Sequence, residues 1–121
     1  MDWIEELPDN CPPKSAEKPN GEFFRLVENN PADEDDFASH RAIWAKKKFN
    51  VSECIARSLS IFSDVSGAEK IKKLPRHKSK SIVKFVLKKD MGLIKQTGRD
   101  KFHHSWWRKK ETDILNLIEY L

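Results

Sequence analysis

The chain has 121 residues, of which 38% are hydrophobic and 35% are charged. This length suits one compact domain, and the hydrophobic content is too high for a wholly disordered chain. No apolar run approaches the ~20 residues needed to span a bilayer, and the first residues lack the pattern of a signal peptide. We therefore expect a cytoplasmic protein with no membrane partner.

The net charge of +4 conceals two parts of opposite sign. Residues 1–40 carry three basic and eleven acidic side chains, whereas residues 41–121 carry twenty basic and eight acidic ones. Such asymmetry indicates an anionic partner, or an acidic segment that folds over a basic body. The alternative is that many of the lysines only coat a solvated surface.

The cysteines and histidines give no sign of a disulfide framework or a metal site. Cys11 and Cys54 are fewer than small secreted domains usually carry, so we expect two free thiols. His103 and His104 are adjacent and would point to opposite faces of a strand, so they cannot chelate one ion together. No metal is therefore expected.

The chain divides into a leader and one domain. Residues 1–20 contain four prolines and are predicted to form an extended leader that docks through Trp3 and Ile4. Residues 21–121 are predicted to form a single α+β domain, with a small, mainly antiparallel sheet of four to five strands and three to four short helices. Its first strand is predicted at 22–28, and a helix follows over about 30–44.

The rest of the domain alternates short helices and strands. The predicted elements are, in chain order, a short helix at 54–56, a strand at 59–63, a helix at 66–75, strands at 81–88, 93–97 and 101–107, and a final helix, or alternatively a closing strand, from residue 112. The strand at 81–88 is the clearest, because Val83, Phe85 and Leu87 line one face. A turn at 90–92 predicts that this strand and 93–97 form an antiparallel hairpin.

The basic part of the chain predicts binding to an anionic macromolecule, with nucleic acid the first candidate. Aromatic rings stack on bases, while lysine and arginine neutralise phosphates. We expect a non-enzymatic binding module whose candidate contacts are Lys70, Lys72, Lys73, Arg76, Lys78, Trp106, Trp107, Arg108 and Lys109. For the tandem tryptophans, the alternative is a place in the hydrophobic core.

Arg25 is the most unusual single residue, because it stands inside an apolar strand. An arginine in such a place must reach a carboxylate, a ligand anion or the surface. Asp36 is the acidic side chain that we expect to pair with it if no ligand does.

Three groups of residues carry a resemblance to a known family. They are Phe24-Arg25 on a first strand, Asp36-Phe37 in the next helix, and Leu59-Ser60-Ile61-Phe62-Ser63 followed by a helix with Ala68. Over about residues 22–74 this order resembles ADP-ribosyltransferase-type folds. The resemblance implies that Arg25 and Ser60 help to hold NAD, with Glu111 or Glu119 as the late glutamate of the site. Apart from this resemblance, no cofactor is expected.

A third hypothesis is a protein-interaction role, such as that of a small accessory or immunity protein that masks a site on another protein. The charge polarity of the chain would suit such an interface. The three hypotheses differ in what they predict: salt-dependent nucleic-acid binding, stabilisation by NAD through Arg25, or a stable complex with another protein.

Overall fold

The computed structural model describes residues 2–121 and contains one six-stranded antiparallel sheet with three α-helices. The strands are β1 (Gly21–Val27), β2 (Leu59–Phe62), β3 (Ser81–Leu87), β4 (Gly92–Gln96), β5 (His103–Arg108) and β6 (Glu119–Tyr120). The helices are α1 (His40–Ile43), α2 (Glu53–Ala56) and α3 (Val65–Lys72). Short 3-10 helices cover Glu34–Phe37, Pro75–His77 and Ile114–Asn116. The α+β class is confirmed, with one strand more than predicted. None of the helices in residues 2–121 is long and apolar enough to cross a membrane.

The strand order is β4-β5-β2-β1-β3-β6, which shows that the predicted hairpin of β3 with β4 is wrong. β3 pairs with β1 along seven residues, whereas β4 pairs with β5 on the far side of the sheet. The pairings also give β3 and β4 the same direction in the sheet, so the residues at 90–92 do not form a hairpin turn between them. Because Ile82 and Val83 bury side chains on both faces of β3, that strand needs the long apolar β1 beside it.

The hydrophobic core lies on both faces of the sheet. Its larger part contains the buried side chains of Phe23, Val27, Phe37, Leu59, Ile61, Val83, Phe85, Leu87, Trp106 and Ile114. On the opposite face, α3 packs Ala68 against Phe62 and Ile82. The shared face predicted for Val83, Phe85 and Leu87 is therefore confirmed.

The helix predicted over 30–44 is replaced by two separate short helices. Asp33 caps the 3-10 helix at Glu34–Phe37, and Ala38 then takes an extended conformation, so helical structure resumes only at α1. The carboxylate of Asp36 accepts hydrogen bonds from the backbone N–H groups of Glu28, at 2.8 Å, and Asp33, at 3.1 Å. These bonds tie the segment back to the end of β1 and prevent a continuous helix.

The C-terminal residues combine both of the alternatives considered for them. A single 3-10 helix at Ile114–Asn116 buries Ile114 in the core, and β6 then adds two residues to the edge of β3.

The leader is docked along the domain. The backbone N–H of Ile4 donates to the carbonyl of Arg108 at 3.0 Å, and Glu17 pairs with Ile94 in both directions, at 2.8 and 2.7 Å. The second contact covers part of the outer edge of β4, where backbone groups would otherwise be unpaired.

Cys11 and Cys54 form a disulfide, so the expectation of two free thiols is wrong. Their Cα atoms lie 5.6 Å apart although the residues are 43 positions apart in sequence. The number of cysteines gave no information about this distance, because it depends on how the leader docks beside α2.

The disulfide predicts a measurable loss of stability on its removal. We expect the double variant Cys11→Ser/Cys54→Ser to lose about 2–4 kcal/mol of unfolding free energy, because closing a loop of this size restricts the unfolded chain. Urea unfolding of the variant and of reduced wild type should give matching midpoints, both below that of the oxidised protein. Two thiols titratable in the folded, unreduced protein would contradict the prediction.

Candidate functional site

The sheet opens between two of its central strands. β1 and β2 are neighbours, but they pair only at Phe24 and Phe62. In a continuous antiparallel ladder, the next hydrogen-bonded pair would be Leu26 with Ser60. Instead, the carbonyl of Ser60 accepts a hydrogen bond from Nη1 of Arg25 at 2.7 Å. A side chain therefore joins the two strands where the main chain does not.

Arg25 has no carboxylate partner. Its Nε donates to the backbone carbonyl of Asp36 at 2.9 Å, and its guanidinium lies 5.6 Å from the ring centroid of Phe37. The carboxylate of Asp36 is occupied by backbone N–H groups, and within residues 2–121 no acidic side chain forms an ion pair with Arg25. The expected pairing of Arg25 with the Asp36 carboxylate is thus replaced by a bond to its carbonyl.

The charge of Arg25 is kept despite its burial. Burial lowers the pKa of Arg25 to about 10, and the nearby charge of Asp36 opposes part of this shift. At neutral pH the guanidinium is still protonated. A partly buried cation that bonds only to carbonyl oxygens is a strong binding group for an anion.

Arg25, Ala38 and His40 are shared by two adjoining clefts. The first cleft has a volume of about 190 Å³ and lies between α1, α2 and the opened strands. Its polar side chains are those of Arg25, Ser39, His40, Ser58, Ser60, His103 and Ser105. The second cleft, of about 290 Å³, extends from Arg25 toward Trp44 and Lys80.

His103 orients the hydroxyl group of Ser60. Nδ1 of His103 lies 2.9 Å from the carbonyl oxygen of Thr97, which can only accept, so Nδ1 carries the proton. Nε2 is then an acceptor, and it lies 3.0 Å from Oγ of Ser60, which donates to it. The oxygen lone pairs of Ser60 remain free to accept hydrogen bonds from hydroxyl groups of a ligand.

His40 adds a titratable group to the rim shared by the two clefts. Partial burial, followed by the positive charges of Arg25, Lys47 and Lys80, lowers the pKa of His40. Its ring stacks against Phe49 with centroids 5.9 Å apart. The shared rim therefore keeps the positive charge of Arg25 even while His40 is neutral.

Of the residues implied by the family resemblance, the structure brings two together and separates the others. Arg25 and Ser60 line the same cleft. Glu119 lies on β6 and pairs with Lys84 at 3.5 Å, and Glu111 lines a different cleft beside Met91. Neither candidate for the late glutamate reaches Arg25, because both follow β5 on chain segments that lie away from the gap between β1 and β2.

The tandem tryptophans are buried, which corrects their proposed role as stacking platforms. Trp106 is 0% and Trp107 1% exposed, and their indole N–H groups donate to the carbonyls of Met91 and Cys54. β5 lies between β4 and β2 and is covered on both faces. The alternative of a core position is the one that the structure supports.

Arg108 and Lys109 are also separated from the other basic candidates. Arg108 is 4% exposed and forms a bidentate ion pair with Glu34, at 3.0 and 3.2 Å, so it is not free to bind a phosphate. The backbone of Lys109 forms an isolated antiparallel β-bridge with Trp3 of the leader. The nine predicted nucleic-acid contacts therefore do not form one surface.

Five of the basic candidates lie on one segment of the chain, formed by α3 and the turn that follows it. They are Lys70, Lys72, Lys73, Arg76 and Lys78, of which all but Lys72 are exposed. Lys72 donates to the carbonyl of Lys80 at 2.6 Å. A broad cleft of about 690 Å³ lies beside them, with Val65, Ile82 and Leu121 in its walls. We call this set of five the α3 basic face.

His103 and His40 belong to the site although no pattern in the sequence marks them as parts of one. His103 is paired across the sheet with Phe62, two residues from Ser60, so their side chains are on the same face. Knowledge of the pairing between β2 and β5 would have revealed this contact. Nothing in the sequence places His40 beside Arg25, because the intervening turn is irregular.

The lowered pKa of His40 predicts how stability depends on pH. The unfolded chain binds a proton at His40 near its ordinary pKa of 6.5, whereas the folded protein does so only at lower pH. Stability is therefore full above that ordinary value and is lost as the pH falls through the folded pKa. We expect His40→Gln to lose less stability than wild type between about pH 7 and 5 in urea titrations. Equal losses in the two proteins would contradict this.

Comparison of the chain with known proteins gives no assignment. No family model, no curated protein and no solved structure matches it. The resemblance to ADP-ribosyltransferase-type folds therefore remains a prediction, and the function has to be argued from the geometry at Arg25.

Proposed function

We propose that the protein binds a phosphate-bearing nucleotide of the NAD class in the cleft at Arg25. The observation that carries this proposal is a partly buried, protonated guanidinium whose only hydrogen-bond acceptors among the described residues are two carbonyl oxygens. No described residue accepts a hydrogen bond from its Nη2. Because phosphate oxygens accept strongly from arginine, a phosphate group would complete this arrangement.

The polar groups around Arg25 suit the other parts of such a ligand. Lys80 places a cation in the second cleft, beside its partner Glu28, and the ring of His40 offers a further hydrogen-bonding group where a second phosphate can lie. Ser60 offers acceptor lone pairs to ribose hydroxyls in the first cleft. The resemblance to ADP-ribosyltransferase-type folds supports the same residues, Arg25 and Ser60, as NAD contacts.

The size of the site favours a ligand that occupies both clefts. Volumes of about 190 and 290 Å³ are each below the ~300–1,000 Å³ typical of small-molecule sites, whereas together they fall in that range. A dinucleotide, or its ADP-ribose part, is long enough to pass Arg25 and extend into both.

The proposal covers binding and does not include transfer of ADP-ribose. The first cleft is lined by no acidic side chain, and Glu111 and Glu119 lie elsewhere. A transferase of this type needs a carboxylate beside the ribose. The geometry thus supports a nucleotide-binding protein or an inactive relative of the transferases.

The proposal predicts that NAD and ADP-ribose raise the melting temperature of the protein in a way that depends on Arg25. We expect Arg25→Gln to weaken binding at least about tenfold by calorimetry, since a charged hydrogen bond to phosphate is lost. Arg25→Lys should bind with intermediate affinity, and Ser60→Ala should weaken NAD more than inorganic pyrophosphate. Arg76→Gln, which removes an exposed arginine from another face, is the matched control.

Two results would overturn the proposal. One is the absence of any stabilisation of wild type by millimolar NAD or ADP-ribose. The other is unchanged binding in Arg25→Gln, provided that its circular dichroism shows it to be folded. Ser60→Ala keeps the test decisive if Arg25→Gln does not fold, because it removes only a hydroxyl group at an exposed position.

Nucleic-acid binding by the α3 basic face is a second candidate function. It is favoured by the exposed cations Lys73, Arg76 and Lys78, none of which forms an ion pair within residues 2–121. A row of unpaired cations neutralises phosphates irrespective of sequence, and its affinity falls steeply with salt. The α3 basic face, and no longer the tandem tryptophans, would then bind the backbone.

This second function predicts a charge-specific loss of binding. We expect Lys73→Glu/Arg76→Glu to abolish retention of single- or double-stranded nucleic acid near physiological salt, while Arg25→Gln retains it. Lys88→Glu/Lys89→Glu, with the same change of net charge at exposed positions on another part of the surface, should bind nearly as wild type. If both double variants lost binding equally, or if heparin competed as well as nucleic acid does, the binding would depend on net charge alone and this second function would be contradicted.

The compartment and a protein partner remain open to test. The cytoplasmic location expected from the sequence is still a prediction, and the Cys11–Cys54 disulfide argues against it because such bonds are typical of oxidising compartments. A protein partner, as in the accessory or immunity hypothesis, would be favoured if neither NAD nor nucleic acid binds.

A further inference from the structure

We infer that the second cleft is a base-binding subsite, in which a nucleobase bearing an amino group stacks on Trp44 while its phosphate contacts Arg25. This inference rests on the proposed function and specifies which part of the nucleotide each cleft receives. It follows from the exposure of Trp44, from the way its backbone is held, and from the charged groups beside it.

Trp44 is a large aromatic side chain left open to solvent at the mouth of a cleft. It is 56% exposed, and Ile43 and Val51 are 50% and 51% exposed. Ile43 and Trp44 line the second cleft with Arg25, and Val51 lines the first. Large apolar side chains left exposed at the edge of a cleft are typical of a binding site.

The backbone that carries Trp44 is held in place by several hydrogen bonds. The N–H of Trp44 donates to the carbonyl of His40 at 2.8 Å, which ends α1. Nη1 of Arg41 donates to the carbonyls of Trp44 and Ala45 at 3.0 and 2.9 Å. Arg41 is itself anchored by an ion pair to Glu53 at 2.7 Å. The indole is thus exposed on a braced turn, which reduces the entropy lost when a ligand stacks on it.

The charges around this cleft fit a nucleotide better than an apolar ligand. The ammonium group of Lys47 lies 5.7 Å from the ring centroid of Trp44, and Lys80 and His40 line the same cleft. Stacking on an aromatic ring is open to every base, and adjacent cations attract the phosphates. A fatty acid or other lipid would have to bury its chain against these charged groups.

Asp35 supplies a reason for the class of base. It lines the second cleft, and its carboxylate makes no hydrogen bond or ion pair with a described residue. The other nearby carboxylates are engaged, since Glu28 pairs with Lys80 at 3.8 Å and Asp36 binds backbone N–H groups. An ionised carboxylate accepts hydrogen bonds only, so it favours an exocyclic amino group, as in adenine, over uracil, whose N3–H donor stands between two carbonyl oxygens that repel a carboxylate.

The test compares ligands that share a phosphate but differ in the base. We will titrate wild-type protein with inorganic pyrophosphate, ribose 5-phosphate, ADP and UDP, using calorimetry together with the fluorescence of the exposed indole. We expect ADP to bind at least about tenfold more tightly than ribose 5-phosphate, and more tightly than UDP, because only ADP uses both the ring and the carboxylate. Quenching of fluorescence by ADP should disappear in Trp44→Phe.

Variants distinguish the contribution of the base to binding from that of the phosphate. Trp44→Ala should lower the affinity for ADP about tenfold and leave the affinity for pyrophosphate unchanged. Trp44→Phe should keep most of the affinity for ADP. Asp35→Asn should bring the affinities of ADP and UDP together. Leu74→Ala, which truncates another exposed apolar side chain, is the matched control and should change neither ligand.

The possible failures are distinguishable. If pyrophosphate binds through Arg25 but ADP binds no better than ribose 5-phosphate, or Trp44→Ala binds ADP as wild type does, the base subsite is overturned and the proposed function stands. If neither pyrophosphate nor any nucleotide binds wild type, both are overturned. Preference for UDP over ADP would overturn the role of Asp35.

Discussion

The guanidinium of Arg25 occupies a position where a β-sheet would normally have a main-chain hydrogen bond. It donates to Ser60 on β2 and to the carbonyl of Asp36 in the turn after β1, and so links three parts of the chain that otherwise separate. The gap beside it becomes a cleft, and the charge that holds the gap together is also the group that can bind an anion. Structure and proposed function thus depend on one side chain, which is why conservative variants at Arg25 and Ser60 are needed to separate them.

The strands were predictable because their patterns are local, whereas the site depends on contacts that are not. The alternation of Val83, Phe85 and Leu87 showed where β3 runs and which face it buries. The partner of β3 depends on long-range packing, so the hairpin that the turn at 90–92 suggested was wrong. Arg25 and Ser60 were connected before the structure by a family resemblance, but His103 and His40 join them only through strand pairing and an irregular turn.

The opposite charges of the two parts of the chain are only partly matched to each other in the fold. Glu34 pairs with Arg108, and Glu28 and Glu22 pair with Lys80 and Lys84. These ion pairs neutralise acidic side chains along β1 and the turn that follows it, and Arg108 is buried in one of them. They do not reach the α3 basic face, which therefore stays positive. Counting charges in the sequence could not show which basic residues would be paired and which would stay unpaired, because the pairing depends on which strands are neighbours.

The wall of the first cleft is supported by a part of the chain that does not line it. Ile55 and Ala56 of α2 form that wall, and the adjoining Cys54 is bonded to Cys11, while Glu5 accepts a hydrogen bond from Ser39 at 2.6 Å. The leader thus supports the cleft from outside, through the disulfide and this hydrogen bond. A reducing agent would break the disulfide and leave only the hydrogen bond. Ligand affinities measured in reducing buffers would therefore describe a less rigid cleft than the one seen here.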